Sequence, residues 1–311
     1  MLQTPNTPTG LKAAPGESAQ MLGLIVHADD FGLSEAVNEG ILDAHLNGVL
    51  TSTSIMASAE AFDHAIAISK ANESLDIGIH LTLVEERPIL DPKAVPSLVD
   101  GEGRFHCHAT VFAGKYFQKK ISLDDVRREL DAQIRKVLAT GVRVSHLDSH
   151  QHLHMLPGVL KVTLKLAHEH GISRVRFPHE AIRPYMFRKP AGLSRVAQLA
   201  VLNMFCGSGK RGFPTSTEHF AGFYYGGALK TENLLELVSH LPSSGTCELM
   251  CHPGHADPSA SRAHWGYRWP DELEALKNRD VTAALKARGI RLISWRDMPA
   301  TRTPVQDGSP T

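Results

Sequence analysis

HLDSHQHLHMLPG, His146 to Gly158, is the stretch on which the reading of the fold turns. His146, Asp148, His150, His152 and His154 occupy every second position of it. Side chains on a strand alternate between faces, so this spacing predicts all five on one side. The preceding Gly-Val-Arg-Val-Ser (141–145) has the β-branched character of a strand, and the following Met-Leu-Pro-Gly carries breakers. A strand therefore ends here, with imidazoles and a carboxylate gathered at its carboxyl end. Such nitrogen and oxygen donors are the ligands of divalent metal sites. Scattered surface histidines are the plain alternative, but five donors of one class rarely cluster by accident.

Outward from this stretch, short apolar runs alternate with helical patterns. Leu22 to Ala28 reads as a buried first strand ending in Asp29-Asp30-Phe31-Gly32. Ser34 is placed to cap a helix through Val37, Ile41, Leu42 and Leu46, closed by Gly48. Val49 to Ala57 reads as a strand and Ala59 to Asn72 as a helix. Leu75 to Leu83 alternates cleanly, with Asp76, Gly78, His80 and Thr82 on one face. Glu85 to Lys120 is rich in Pro, Gly and aromatics, and a loop of that length is usually a lid or binding surface.

Ser122 starts a helix that ends at Gly141. Beyond the His-rich stretch come a helix (Leu156 to His170), a short strand (Ser173 to Pro178) and a helix (Leu193 to Phe205). A Gly/Lys/Arg loop and the aromatic HFAGFYYGG follow. Thr231 to Leu241 reads as a helix, Thr246 to Pro253 as a strand, Pro270 to Arg288 as a helix closed by Gly289, and Ile290 to Trp295 as a last strand. The pattern predicts an α/β fold: a distorted (β/α) barrel of about seven strands in one domain over residues 21–299. Residues 1–20 and 300–311 read as disordered tails.

Composition narrows the function. The chain has 311 residues, 33 basic and 33 acidic, so nothing argues for electrostatic capture of nucleic acid. Cys107, Cys206, Cys247 and Cys251 are few and scattered, which favours a reduced, cytoplasmic setting; Cys247 and Cys251 read as small core residues. No run approaches a membrane span, and the first twenty residues lack the pattern of a signal peptide. Peripheral contact with the inner face of a membrane and a homodimer both remain open.

Barrel chemistry sits at the carboxyl ends of strands, and polar groups recur there. Asp30, His80 and His150 supply one carboxylate and two imidazoles from three strands, a metal set with room for water and substrate. Asp29 is placed to act as a base, if a turn at Phe31-Gly32 brings both carboxylates into the site. His252 is a candidate proton donor to a leaving group, and Arg176 would hold Asp29 or meet an anion. Together these describe metal-assisted hydrolysis of an amide or ester. Structural readings stand beside each: an Asx turn at Asp29-Asp30, an interior His80, a structural Arg176, and His152 and His154 as groups that orient ligands. His27, His45, His64, His106 and His108 have no comparable context.

HADDFGLSEAVNEGILDAHLNGVLTSTSIMAS, GIHLTL, HLDSHQHLHMLP and ELMCHPG, in this order, resemble the YdjC-like carbohydrate deacetylases. The helix at Ser122, VRFPHE (175–180) and EHFAGFYYGG (218–227) look most like the hopanoid-biosynthesis-associated HpnK branch. The resemblance implies a distorted barrel, a divalent ion (magnesium or zinc), and hydrolysis of the N-acetyl group of an acetylated amino sugar. It implies Asp30, His80 and His150 as metal positions, Asp29 as base and His252 as acid. For the HpnK branch it implies an N-acetylglucosaminyl hopanoid; soluble chitooligosaccharide hydrolysis, metal-dependent phosphoester hydrolysis and a catalytically silent sugar- or lipid-binding protein are the competing expectations. A lipid-linked substrate calls for an apolar groove, expected from Phe105, Phe112, Phe117, Phe220, Phe223 and Tyr224.

Overall fold

The computed structural model describes residues 21–188, 192–207, 215–257 and 264–298. Both terminal tails of the sequence reading, and most of its Gly/Lys/Arg loop, lie outside these residues. Among the described residues, seven parallel strands form one sheet: β1 (Gly23–Phe31), β2 (Ser52–Ile55), β3 (Asp76–Leu81), β4 (Val144–Ser149), β5 (His219–Ala221), β6 (Thr246–Cys251) and β7 (Arg291–Leu292). The order is β4-β3-β2-β1-β6-β5, with β7 added on β1. Isolated parallel bridges, Leu147 with Val175 and Glu180 with Phe220, tie the segment at 174–180 to both ends of the sheet. That segment closes the barrel without becoming a regular strand, a correction to the strand expected at Ser173 to Pro178.

Nine helices connect the strands: α1 (Glu35–Asn47), α2 (Phe62–Ala71), α3 (Ala109–Phe117), α4 (Leu123–Ala139), α5 (Pro157–Glu169), α6 (Gly192–Cys206), α7 (Thr231–His240), α8 (Trp269–Lys277) and α9 (Arg279–Ala287), counted among the described residues. Ser34 and Ser122 cap α1 and α4, their hydroxyls accepting from the Val37 and Asp125 amides. The single helix expected over Pro270 to Arg288 is two. Asn278 leaves the helical region and its side chain accepts from the Asp280 amide, ending α8 and starting α9. The long segment after β3 is not a bare loop, since it contains α3. The last strand is only two residues before a 3₁₀ turn at Trp295–Asp297, whose main chain the Ser294 and Asp297 side chains secure.

Strand alternation sorts the sequence into two environments. Leu24, Val26 and Ala28 of β1, Ile77 and Ile79 of β3, and Cys247, Leu249 and Cys251 of β6 are buried in the main apolar core. The opposite faces carry Ile25, His27 and Asp29, then Asp76, Gly78 and His80, then Glu248 and His252, all buried as well. The barrel interior is therefore polar, floored by Ile25, Ile293, Trp295 and Met298.

Candidate active site

β4 ends at Ser149, and a 3₁₀ turn runs from His150 to Met155 with Gln151 and His152 in the left-handed region (φ 51 and 54). The five alternating donors therefore do not share a face, contrary to the strand expectation. His146 and Asp148 point into the barrel from β4, while the turn distributes the other three. His150 reaches Asp30. His152 lies between the Phe220 and Phe223 rings. His154 Nε2 donates to the Arg176 carbonyl at 2.9 Å, with Ser149 Oγ 2.5 Å from Nδ1.

Regular alternation would turn Asp29 and Asp30 to opposite faces. Asp30 has φ 65, and the β1–β2 register shifts between Ala28 and Phe31. Alternation already turns Asp29 inward, and this distortion, rather than the Phe31-Gly32 turn, brings Asp30 in beside it. Asp30 Oδ1 lies 2.9 Å from His150 Nδ1 and 3.3 Å from His80 Nε2. One donor atom from each of Asp30, His80 and His150 lies within 4.8 Å of the others, and all three residues are buried. Among the described residues, Asp30 Oδ2 and His80 Nε2 have no hydrogen-bond partner, although a buried polar atom normally finds one.

The electrostatics favour a cation at this point. Burial opposes charge on His80, but Asp148 and Asp29 outweigh it and push the imidazole up to about 10. Burial likewise opposes charge on His150, but Asp30 and Glu85 push it up to about 9. Asp30 itself is held far below the usual carboxylate range; burial would raise it, and His150 and His80 overcome that. The pocket thus draws positive charge toward three convergent donors, which fits a divalent ion bound by one carboxylate and two neutral imidazoles.

Asp29 sits beside this cluster in a different setting. Arg176 Nη1 donates to its Oδ2 at 2.9 Å and Nη2 to its Oδ1 at 2.8 Å. Arg176 is completely buried and also pairs with Asp148 at 2.9 Å and Glu248 at 2.8 Å. Burial would raise the Asp29 pKa, but Arg176, His80 and His27 hold it well below its ordinary value. Arg176 comes from the closing segment; the sequence reading offered Asp29 as its partner, and the fold adds Asp148 and Glu248.

His252 is buried just beyond β6. Its amide donates to Glu272 Oε2 at 2.5 Å, its Nδ1 has no hydrogen-bond partner among the described residues, and its ring packs 4.7 Å from Tyr267. Tyr267 packs 5.4 Å from Trp265, whose ring lies 5.1 Å from His150. These two aromatics, absent from the sequence reading, wall the space between His252 and the His150 cluster.

Other contacts also escaped that reading, although it had counted Asp148 among the clustered donors. Asp148 pairs with His80 across the β3–β4 register and hydrogen-bonds its Nδ1 at 2.9 Å, with Ser54 donating to the same carboxylate. His27, read as ordinary, lies 3.1 Å from Asp29 and 3.0 Å from His146. Glu85, 2.8 Å from His150 Nε2, carried no signal beyond following GIHLTL. Of the residues expected to form an apolar groove, Phe105, Phe112 and Phe220 are buried; Phe117 is exposed, and Phe223 and Tyr224 are half-buried. Phe105 and Phe112 belong to the core, because the segment after β3 folds back on the barrel.

A family profile described as YdjC-like protein matches residues 23–287. A carbohydrate deacetylase from Clostridium beijerinckii is 32% identical, covering 88% of this chain and 99% of its own length. A chitooligosaccharide deacetylase from Yersinia enterocolitica is 33% identical, covering 88% of this chain and 98% of its own length. A solved structure from Enterococcus faecalis, provisionally described as a cellobiose-phosphate cleavage protein, superposes with a TM-score of 0.69. It is 30% identical, covering 89% of this chain and 98% of that one.

Proposed function

The chain belongs to the YdjC-like family, and from that premise we propose that it is a metal-dependent carbohydrate N-deacetylase. One observation carries the reading: unpartnered atoms of Asp30 and His80 converge with His150 beside a carboxylate that a buried arginine keeps ionised. The deacetylase names of its relatives support the same reaction class.

Asp30, His80 and His150 would hold the divalent ion, zinc or magnesium. When bound, that ion lowers the pKa of water and polarises a carbonyl oxygen. Asp29 accepts the proton of the attacking water; its low pKa keeps it a carboxylate at neutral pH. Arg176 fixes both of its oxygens, so the base cannot rotate away. The water oxygen bonds to the acetyl carbon, the carbon–nitrogen bond breaks, and the departing nitrogen takes a proton from His252. The products are acetate and a free amine. Trp265 and Tyr267 form an aromatic wall against which a sugar face can pack.

We assign the substrate as an N-acetylglucosaminyl group on a lipid, as the HpnK-like segments suggest. Phe117 of α3 stacks 6.4 Å from Phe205 of α6, and Val201 and Met204 of α6 are exposed. These side chains offer apolar surface to a hydrocarbon tail. No described helix is long and apolar enough to cross a membrane. The soluble alternative is a chitooligosaccharide, on which the name of the Yersinia relative bears. Acetate release from diacetylchitobiose and from an acetylglucosaminyl hopanoid, measured side by side, separates the two. A protein that releases acetate equally well after complete metal removal sinks the mechanism, and turnover of phosphate esters alone would replace it with phosphoester hydrolysis.

A further inference from the structure

We infer that Glu85 is a positioning residue for the cation site, orienting His150 from the segment that follows β3. The inference rests on the metal-site reading above, and it concerns a residue that neither the motifs nor the ligand set contains.

The two imidazoles of the site are built alike. His80 turns Nε2 toward Asp30 and gives Nδ1 to Asp148 at 2.9 Å. His150 turns Nδ1 toward Asp30 and gives Nε2 to Glu85 at 2.8 Å. An imidazole that binds a cation through one nitrogen carries its proton on the other. A carboxylate on that second nitrogen fixes the tautomer, holds the ring plane and raises ligand basicity. Asp148 does this for His80 from a neighbouring strand, in register with it. His150 lies on an irregular turn, and the carboxylate on its outer nitrogen comes from Glu85.

Glu85 is held in place at a conformational cost. Its φ is 69, the left-handed region that a residue with a side chain rarely adopts. The surrounding main chain enforces this. The Glu85 amide donates to the His106 carbonyl at 3.0 Å, the Phe105 amide donates to the Glu86 carbonyl at 3.0 Å, and Val84 bridges His106. The Glu85 side chain is 6% exposed, with Oε1 3.4 Å from His108 Nδ1. A Gly here would relax the backbone, so the glutamate stands against local preference, with one oxygen toward His150 and the other toward His108. The stretch around His106 and His108 is thereby coupled to the orientation of His150. His108 in turn packs 6.1 Å from His264, next to Trp265.

The test uses the full chain stripped of metal and titrated with Co2+, followed by its visible absorption and by calorimetry. Glu85→Gly removes the carboxylate while relieving the positive φ, so it isolates positioning from folding. Its Co2+ affinity is expected to fall about 10- to 100-fold with the absorption band unmoved and the thermal midpoint of the metal-free protein not lowered. Glu85→Gln keeps an oxygen that can accept from Nε2 and should recover part of the loss. Unchanged affinity in Glu85→Gly overturns the inference. So does a shifted absorption band, which would make Glu85 a ligand, and so does a parent protein that binds no Co2+. A parent that binds Co2+ yet releases no acetate overturns the deacetylase reading and leaves this one standing.

Discussion

Arg176 grips Asp29 with both guanidinium nitrogens, 2.9 Å to Oδ2 and 2.8 Å to Oδ1, across 147 positions of sequence. Burial opposes its charge, but Asp148, Asp29 and Glu248 hold its pKa well above the ordinary arginine value. The pair is bidentate and fully enclosed, so its geometry is rigid and its loss is costly. Asp29→Asn should lower kcat by about 10²- to 10⁴-fold while leaving cation affinity close to the parent value. Arg176→Ala strands buried carboxylates and should cost about 3–5 kcal/mol in urea unfolding. Full activity in Asp29→Asn would remove it from the role of base.

Cation binding should depend on the convergent donors. In His80→Ala and His150→Ala, metal content after dialysis should drop below stoichiometric and acetate release should vanish with it. A chelator should do the same to the parent, reversibly on adding metal back. Stoichiometric metal in both variants would place the ion elsewhere.

Gly78 faces the interior of β3, where an added Cβ would overlap the His146 ring. That ring is pinned from the other sides, stacked 4.7 Å on Trp295 and bonded to His27 and Ser145. It has no room to withdraw, so Gly78→Ala should destabilise by about 1–3 kcal/mol. Thermal or urea unfolding measures this; a neutral result would show that the polar interior yields more readily than its contacts indicate.

Glu180 gives a pH signature. Burial pushes its carboxyl up from 4.5 to about 7, against hydrogen bonds from the Tyr224 and Gly222 amides. The folded state therefore holds a proton that the unfolded chain releases. The stability from this group is fully present below 4.5 and is lost as pH rises through about 7. The total is on the order of 3 kcal/mol. Glu180→Gln cannot ionise, so its unfolding midpoint should fall less than the parent's between about pH 5 and about pH 8. Parallel curves for the two proteins would refute the assignment.

Local rules carried part of the site. Alternation along Leu75 to Leu83 put His80 on the polar face, where the structure has it. The serine caps and the buried cysteines were equally legible. Alternation alone fails at two places, because a bulge at one and a left-handed turn at the other cancel the period of two; the sequence reading had Asp30 in the site, by way of a turn at Phe31-Gly32. Asp30 lies inward for the first reason, and His152 leaves the strand face for the second. Glu85, Trp265 and Tyr267 were invisible because each reaches the site by a loop whose path no periodicity encodes.

From residue order alone came the α/β class, the chemistry of the donors and their place at strand ends, since these follow from side-chain type and local period. Only the folded barrel decided that Arg176 meets Asp29, that Asp148 backs His80, and that Glu85 backs His150. Those partners depend on strand register, the closing segment at 174–180 and the fold-back of 85–108. Each is an outcome of long-range packing that no short window of sequence contains.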